Sequence, residues 1–377
     1  VYNEPNGFPM TPRAPHRIAL REYLGVAPEV LASLGLAAHE VLDLCSGLNP
    51  YGPPASVLGA ARDAPLTHYP DPTGHAARAR VAQRFGTSPD CVVLGSGAAE
   101  LLWSCARVLI EPGMAVLTME PGYPEFRVAA RQLGARLVQW RSVERTGHRI
   151  DLQQIAELMR LETPAVLSLC APGSPTGSSV RFTDIALLAA RFPDTHVVVD
   201  QSLLALSDDH ADLHELPASN VICIRSLSKE LGLPGVRAAY LLADAKLAAR
   251  IEATRPAFST SSQTQAVIQA AMDEDAFSAD SRLRLQADRT RLMATLDALG
   301  LVYTPSVAPF LLVRVARASE VAAELLERHR IAVCDATASG LPDHLRISAV
   351  SVAAAVQLSA ALSDIIERRR LTHGREA

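Results

Sequence analysis

The sequence has no C-x-x-C pair. Its six cysteines, Cys45, Cys91, Cys105, Cys170, Cys223 and Cys334, are scattered, and most sit in apolar runs. That spacing argues against a zinc site and against a disulfide framework. It predicts reduced, buried thiols that act as small core residues in a cytoplasmic protein. No charge of one sign dominates: the formal net charge is −4 and the charges are mixed along the chain. A basic footprint for nucleic acid and a polyionic tail are both excluded. Long apolar runs are also missing. The uncharged stretch "ISAVSVAAAVQLSAALS" (347–363) carries serines, a glutamine and many alanines, a poor composition for a membrane span. It is expected to be a strand followed by a helix. The opening "VYNEPNGFPMTPRAPHR" contains no apolar signal-peptide core. No internal repeat or low-complexity segment stands out.

What is present is ordinary globular composition, 49% hydrophobic and 20% charged over 377 residues, enough for two lobes. Short β-branched runs recur at 91–95, 115–119, 136–140, 165–170, 196–200, 221–226 and 238–243. Several are apolar almost throughout, as strands covered on both faces must be. Helical stretches such as "AAELLWSCARVLI" lie between them, so the expected class is α/β with a mostly parallel sheet. After about residue 255 amphipathic helices alternate with the short strands "FLLVRV" and "LRISAV", a pattern of α+β type. The expected division is a large domain over 61–255 and a small one over 256–377, with residues 1–60 joining the small domain.

The chemistry lies in the turns after the strands. "SLSKELGLPGVR" (226–237) places Lys229 directly after an apolar strand. The carboxyl edge of an open α/β sheet is where ligands bind. Alone, Lys229 reads as a surface lysine, and Asp200, ending "HVVVD", as a cap or a buried ion-pair member. Together they suggest one ligand with an electrophilic carbon and a basic ring nitrogen. "VVLGSGAAELLW" runs from a strand through Gly95 and Gly97 into a helix whose free N–H groups can meet an anion. Its rival meaning is a dinucleotide fingerprint, with Glu120 as the ribose acid, but Glu100 stands where that fingerprint needs glycine or alanine. Tyr123, in "EPGYPEF", can stack on a flat ligand, or be an ordinary turn tyrosine. Ser174, in "CAPGSPTG", and Tyr69, in "THYPDPTG", occupy two more turns.

In this order, these segments resemble the fold-type I pyridoxal-phosphate enzymes, nearest the histidinol-phosphate aminotransferase and threonine-phosphate decarboxylase branch of the class I/II aminotransferases. The resemblance runs from "LDLCSGLNPYGPP" (42–54) through "HLRISAV" (344–350), and the combination "VVVD…SLSK…GVR" is its specific part. It implies a seven-stranded, mostly parallel sheet between helices in the large, cofactor-binding domain, plus a smaller α+β domain. It implies pyridoxal 5′-phosphate as cofactor, linked to Lys229 as a Schiff base, with Asp200 on the pyridine nitrogen and Tyr123 on the ring. The phosphate is expected at Gly97, Ala98 and Ala99, with Ser226, Ser228 and Arg237. Tyr69 is expected to reach it from the neighbouring subunit, so a homodimer is implied. Arg346 and Asn49 are the expected substrate-binding residues, Arg346 on the α-carboxylate.

Departures from the family pattern accompany the match. Ser174 replaces an asparagine and Leu203 a tyrosine, both of which donate to the cofactor's phenolic oxygen in relatives. Their loss is expected to raise the pKa of the internal imine, with Ser174 restoring one bond. Ala98 and Ala99 replace a hydroxyl and an acid, and Pro309 an asparagine. The implied activity is amino transfer on an α-amino acid or derivative through a quinonoid intermediate. The alternative is decarboxylation, elimination or β/γ-substitution in specialised biosynthesis. A nicotinamide oxidoreductase is disfavoured by Glu100, and a cofactor-free binding protein by the retained Lys229.

Overall fold

The computed structural model describes residues 26–373, with side chains through residue 369. The first 25 positions of the segment expected to join the small domain lie outside the described residues. The first strand, Leu42–Asp43 (β1), belongs to a small peripheral pair. The next seven build the main sheet: Val92–Gly95 (β2), Ala115–Glu120 (β3), Arg136–Arg141 (β4), Val166–Cys170 (β5), His196–Asp200 (β6), Val221–Ser226 (β7) and Ala239–Leu242 (β8). Their order is β2-β8-β7-β6-β5-β3-β4. Only β8 runs against its neighbours.

Apolar strands form here because helices cover both faces. Val197 and Val199 of β6 enter one hydrophobic cluster and Val198 the other, the two-residue alternation of a strand. Each fully buried Val, Leu or Ile contributes about 1.5–3 kcal/mol. The five strands β2, β3, β5, β6 and β7 end at Gly95, Glu120, Cys170, Asp200 and Ser226, all on one edge.

The remaining strands are Tyr303–Thr304 (β9), Phe310–Arg314 (β10), Ile331–Ala332 (β11), Cys334–Asp335 (β12) and His344–Ser348 (β13). Four of them form an antiparallel sheet ordered β12-β13-β10-β9, and β11 pairs in parallel with β1. Leu44, Leu296, Leu311, Leu345 and Leu358 share the second core. The break between cores differs from the division expected at residue 255. Val267 and Ile268, on the helix Ser262–Ala271, are buried in the main-sheet cluster with Val57 and Ala61. The crossing falls within the long helix Asp275–Ala298, where Phe277 packs on the first core and Leu292 and Leu296 in the second.

Candidate active site

Loops from the five strand ends enclose a cavity of about 230 Å³. β7 ends at Ser226, whose hydroxyl accepts the Ser228 N–H at 3.3 Å and starts the short helix Leu227–Glu230. That turn directs Lys229 into the cavity. Burial lowers the Lys229 ammonium to about 8, and the positive charge of Arg346 adds to this, while Asp200 opposes it. Asp200 lines the same cavity, and its Oδ1 accepts the Ser202 N–H at 2.9 Å, which fixes the carboxylate. Tyr123 and Ser174 complete this part of the wall.

The anion end is built by the turn before the helix Ala98–Leu109. Ala98, Ala99, Ser226, Ser228 and Arg237 all line the cavity there. Gly97 has φ +91°, and a Cβ at this position would stand 2.1 Å from Arg237 Nη2. Only glycine lets the guanidinium reach the helix start. Arg237 Nη1 also donates to the Ser228 hydroxyl, at 3.4 Å, and to the Pro234 carbonyl, at 3.1 Å. Helix N–H groups, two hydroxyls and a guanidinium form a cradle of the kind that suits an anion.

The dinucleotide alternative fails on the same ground. Glu100 takes an N–H bond from Ser96 at 3.2 Å and an ion pair with Arg255 at 3.0 Å, so it closes the helix start where a fingerprint glycine would open it. Glu120 is buried against Arg127 at 2.8 Å, and burial pushes its carboxyl up.

The aminotransferase class I and II family model matches residues 39–364. The chain belongs to this family. Histidinol-phosphate aminotransferase 1 of Thiobacillus denitrificans is 32% identical over 345 residues, 89% of this chain and 88% of that protein. The histidinol-phosphate aminotransferase of Symbiobacterium thermophilum is 31% identical over 325 residues, 85% of this chain and 88% of that protein. The crystal structure of the Sinorhizobium meliloti histidinol-phosphate aminotransferase with pyridoxal 5′-phosphate superposes at TM-score 0.82. It is 26% identical and spans 96% of this chain and 99% of that one. The protein is a pyridoxal-phosphate-dependent aminotransferase of fold type I.

The residues present fit that cofactor. The cradle that a Cβ at Gly97 would fill suits its phosphate, and a carboxylate, Asp200, and an amine, Lys229, line the same cavity. Three expected residues of this aminotransferase stand elsewhere. Arg346 sits behind the cavity wall, only 1% exposed and over the Phe310 ring at 5.1 Å. It donates from Nη1 to the Ser174 hydroxyl at 2.6 Å and from Nη2 to the Cys45 carbonyl. Asn49 does not line the cavity. Its amide donates to the Glu230 carbonyl at 2.8 Å and to the Ser281 hydroxyl at 2.9 Å, so both N–H bonds are used to anchor the chain. Tyr69 is 84% exposed and tilted against Phe258, ring centroids 4.8 Å apart, outside this cavity.

The expected free thiols are present, but two of them touch. Cys45 and Cys334 Sγ atoms lie 3.2 Å apart beside Arg346. This contact raises the Cys45 thiol and lowers that of Cys334. The cavity also includes Asp43, Ser46 and Leu48, which sequence reasoning did not single out. Their signal was the segment "LDLCSGLNPYGPP" itself, in which only Asn49 attracted attention.

Proposed function

We propose that Lys229 both holds the cofactor and moves the substrate's α-proton. When bound, the cofactor supplies an electron sink for the pair left on the α-carbon. Lys229, with its ammonium lowered to about 8, carries a useful neutral fraction at neutral pH, as a proton-moving amine requires. Asp200 would keep a proton on the pyridine nitrogen, and Tyr123 would stack on the ring. Ser174 accepts from Arg346, which leaves its O–H free to donate to the phenolic oxygen. Arg346 would take the substrate carboxylate. It already donates to the Ser174 hydroxyl, and a charged acceptor makes a stronger bond than a neutral hydroxyl.

We also propose a homodimer in which Tyr69 serves the partner's phosphate site; its exposure outside its own cavity supports this. Among the described residues no helix is long and apolar enough to cross a membrane.

The observation that carries the proposal is Lys229, Asp200 and the Gly97–Arg237 cradle in one cavity. Borohydride reduction of the cofactor-loaded protein followed by peptide mass spectrometry is expected to place the adduct on Lys229. Lys229→Ala is expected to abolish transfer of amino groups to added 2-oxo acids. An adduct elsewhere, or full transfer by the variant, refutes the assignment.

A further inference from the structure

We propose that Cys45 and Cys334 are a peroxide-responsive thiol pair, which oxidation joins in a reversible disulfide between the segment after β1 and β12.

The backbone brings the two together. β1 and β11 run in parallel, with Leu42 opposite Ile331 and Asp43 opposite Ala332. The Leu44 N–H donates to the Ala332 carbonyl at 2.8 Å and continues the pairing. Carried two residues on, this register sets Cys45 opposite Cys334. Neighbouring strands lie about 4.8 Å apart, inside the roughly 4.4–6.8 Å between Cα atoms that a disulfide spans. The side chains complete the approach: the Sγ atoms are 3.2 Å apart, and both residues pack with Ala332 in one small buried cluster. The pair also adjoins the active site. Cys334 stands opposite Arg346 across β12 and β13, and the Cys45 carbonyl accepts from Arg346 Nη2. Asp43 and Ser46, close to Cys45 in the chain, line the cavity. A disulfide here fastens the backbone on both sides of Arg346.

The two thiols are unequal, which suits them to sequential roles. Contact with Cys45 holds the Cys334 thiol below its ordinary range, and Arg346 and Lys229 act in the same direction against burial. The same contact raises the Cys45 thiol. Burial pushes up the thiols of Cys105, Cys170 and Cys223. Cys334 is therefore the thiol that ionises most readily among these, and the thiolate is the reacting form. Both members of the pair are 4% exposed, so the oxidant must be small, and hydrogen peroxide qualifies. The Cys334 thiolate attacks one peroxide oxygen, the O–O bond breaks, and hydroxide leaves to become water. This gives a sulfenic acid on Cys334. The Cys45 sulfur then attacks the Cys334 sulfur, the S–O bond breaks, and the Cys45 proton leaves with the hydroxide as a second water. Two thiols have lost two electrons and peroxide has gained them. A thiol reductant such as dithiothreitol reverses the step by exchange.

The test uses the full-length, cofactor-loaded protein, first reduced and then given hydrogen peroxide in equal amount. Remaining thiols are alkylated, and unreduced peptides are mapped by mass spectrometry. The Cys45–Cys334 disulfide is expected as the main thiol product, with the other four cysteines alkylated. The urea midpoint is expected to rise by about 1 M, because the bond closes a long loop in the unfolded chain. Dithiothreitol should restore both the free thiols and the midpoint. In Cys45→Ser, Cys334 is expected to stop at the sulfenic acid, which dimedone labels, and in Cys334→Ser the rise in midpoint should vanish. Both thiols recovered unoxidised, a disulfide between other cysteines, or direct passage of Cys334 to the sulfinic acid in the parent overturns the proposal. So does a midpoint that peroxide leaves unchanged in the parent, or raises equally in Cys334→Ser.

Discussion

Lys229 is costly where it stands before the cofactor arrives. Its ammonium is lowered from 10.5 to about 8, first by burial and then by Arg346. Below pH 8 both the folded and the unfolded chain hold this proton, and the folded protein bears the whole cost of the buried charge. Between pH 8 and 10.5 the unfolded chain keeps a proton that the folded one has released, so this residue makes stability rise with pH across that window. Cofactor-free Lys229→Met, which carries no charge, is therefore expected to unfold at higher urea than the parent at pH 7. The advantage should shrink as pH approaches 10.5. Urea midpoints of both proteins at the two pH values check this; a difference that does not change with pH contradicts it. The same residue was legible from sequence because an apolar strand pointed at it. Asp43 was not, since nothing local shows that its strand ends at the cavity.

At the level of elements, the segment 42–54 matters because it is threaded against the helix that carries Lys229. The Asn49 N–H donates to the Lys229 carbonyl at 3.0 Å, and its side chain to the Glu230 carbonyl. Close approach is possible because a Cβ on Gly52 would stand 2.3 Å from the Leu231 carbonyl oxygen. Asn49→Ala leaves the Glu230 carbonyl and the Ser281 hydroxyl without this donor, and is expected to destabilise the protein by about 1–3 kcal/mol. Chemical denaturation measures this, and a loss of only a few tenths would show that water replaces the amide. The strands themselves were readable, since continuous apolar runs such as 196–200 and 221–226 coincide with β6 and β7. Local pattern carries that information. The Asn49 anchor, the Cys45–Cys334 contact and the Arg346–Ser174 bond join positions 181, 289 and 172 residues apart along the chain. No periodicity encodes such pairs. The expected domain boundary failed for a related reason. The helix Ser262–Ala271 is amphipathic like those after it, and only tertiary packing assigns it to the first core.

For the whole molecule, one chain supplies the cradle but leaves Tyr69 outside it. Tyr69 and Phe258 meet in a tilted pair with ring centroids 4.8 Å apart, both exposed, at 84% and 44%. Two large rings in water are an apolar surface that a second subunit can cover. If Tyr69 completes the partner's phosphate site, each active site of a symmetric dimer draws on both chains. Mixed dimers then distinguish this arrangement from a tyrosine that serves its own chain. Lys229→Ala and Tyr69→Ala subunits, each impaired alone, can be combined by co-expression with different affinity tags. In the hybrid, one site receives both defects and the other receives neither, so purified hybrid dimers are expected to recover amino transfer. Were Tyr69 to act within its own subunit, both sites of the hybrid would stay damaged and no recovery would appear. The two arrangements give opposite results from the same preparation, which makes the hybrid a direct test of shared sites.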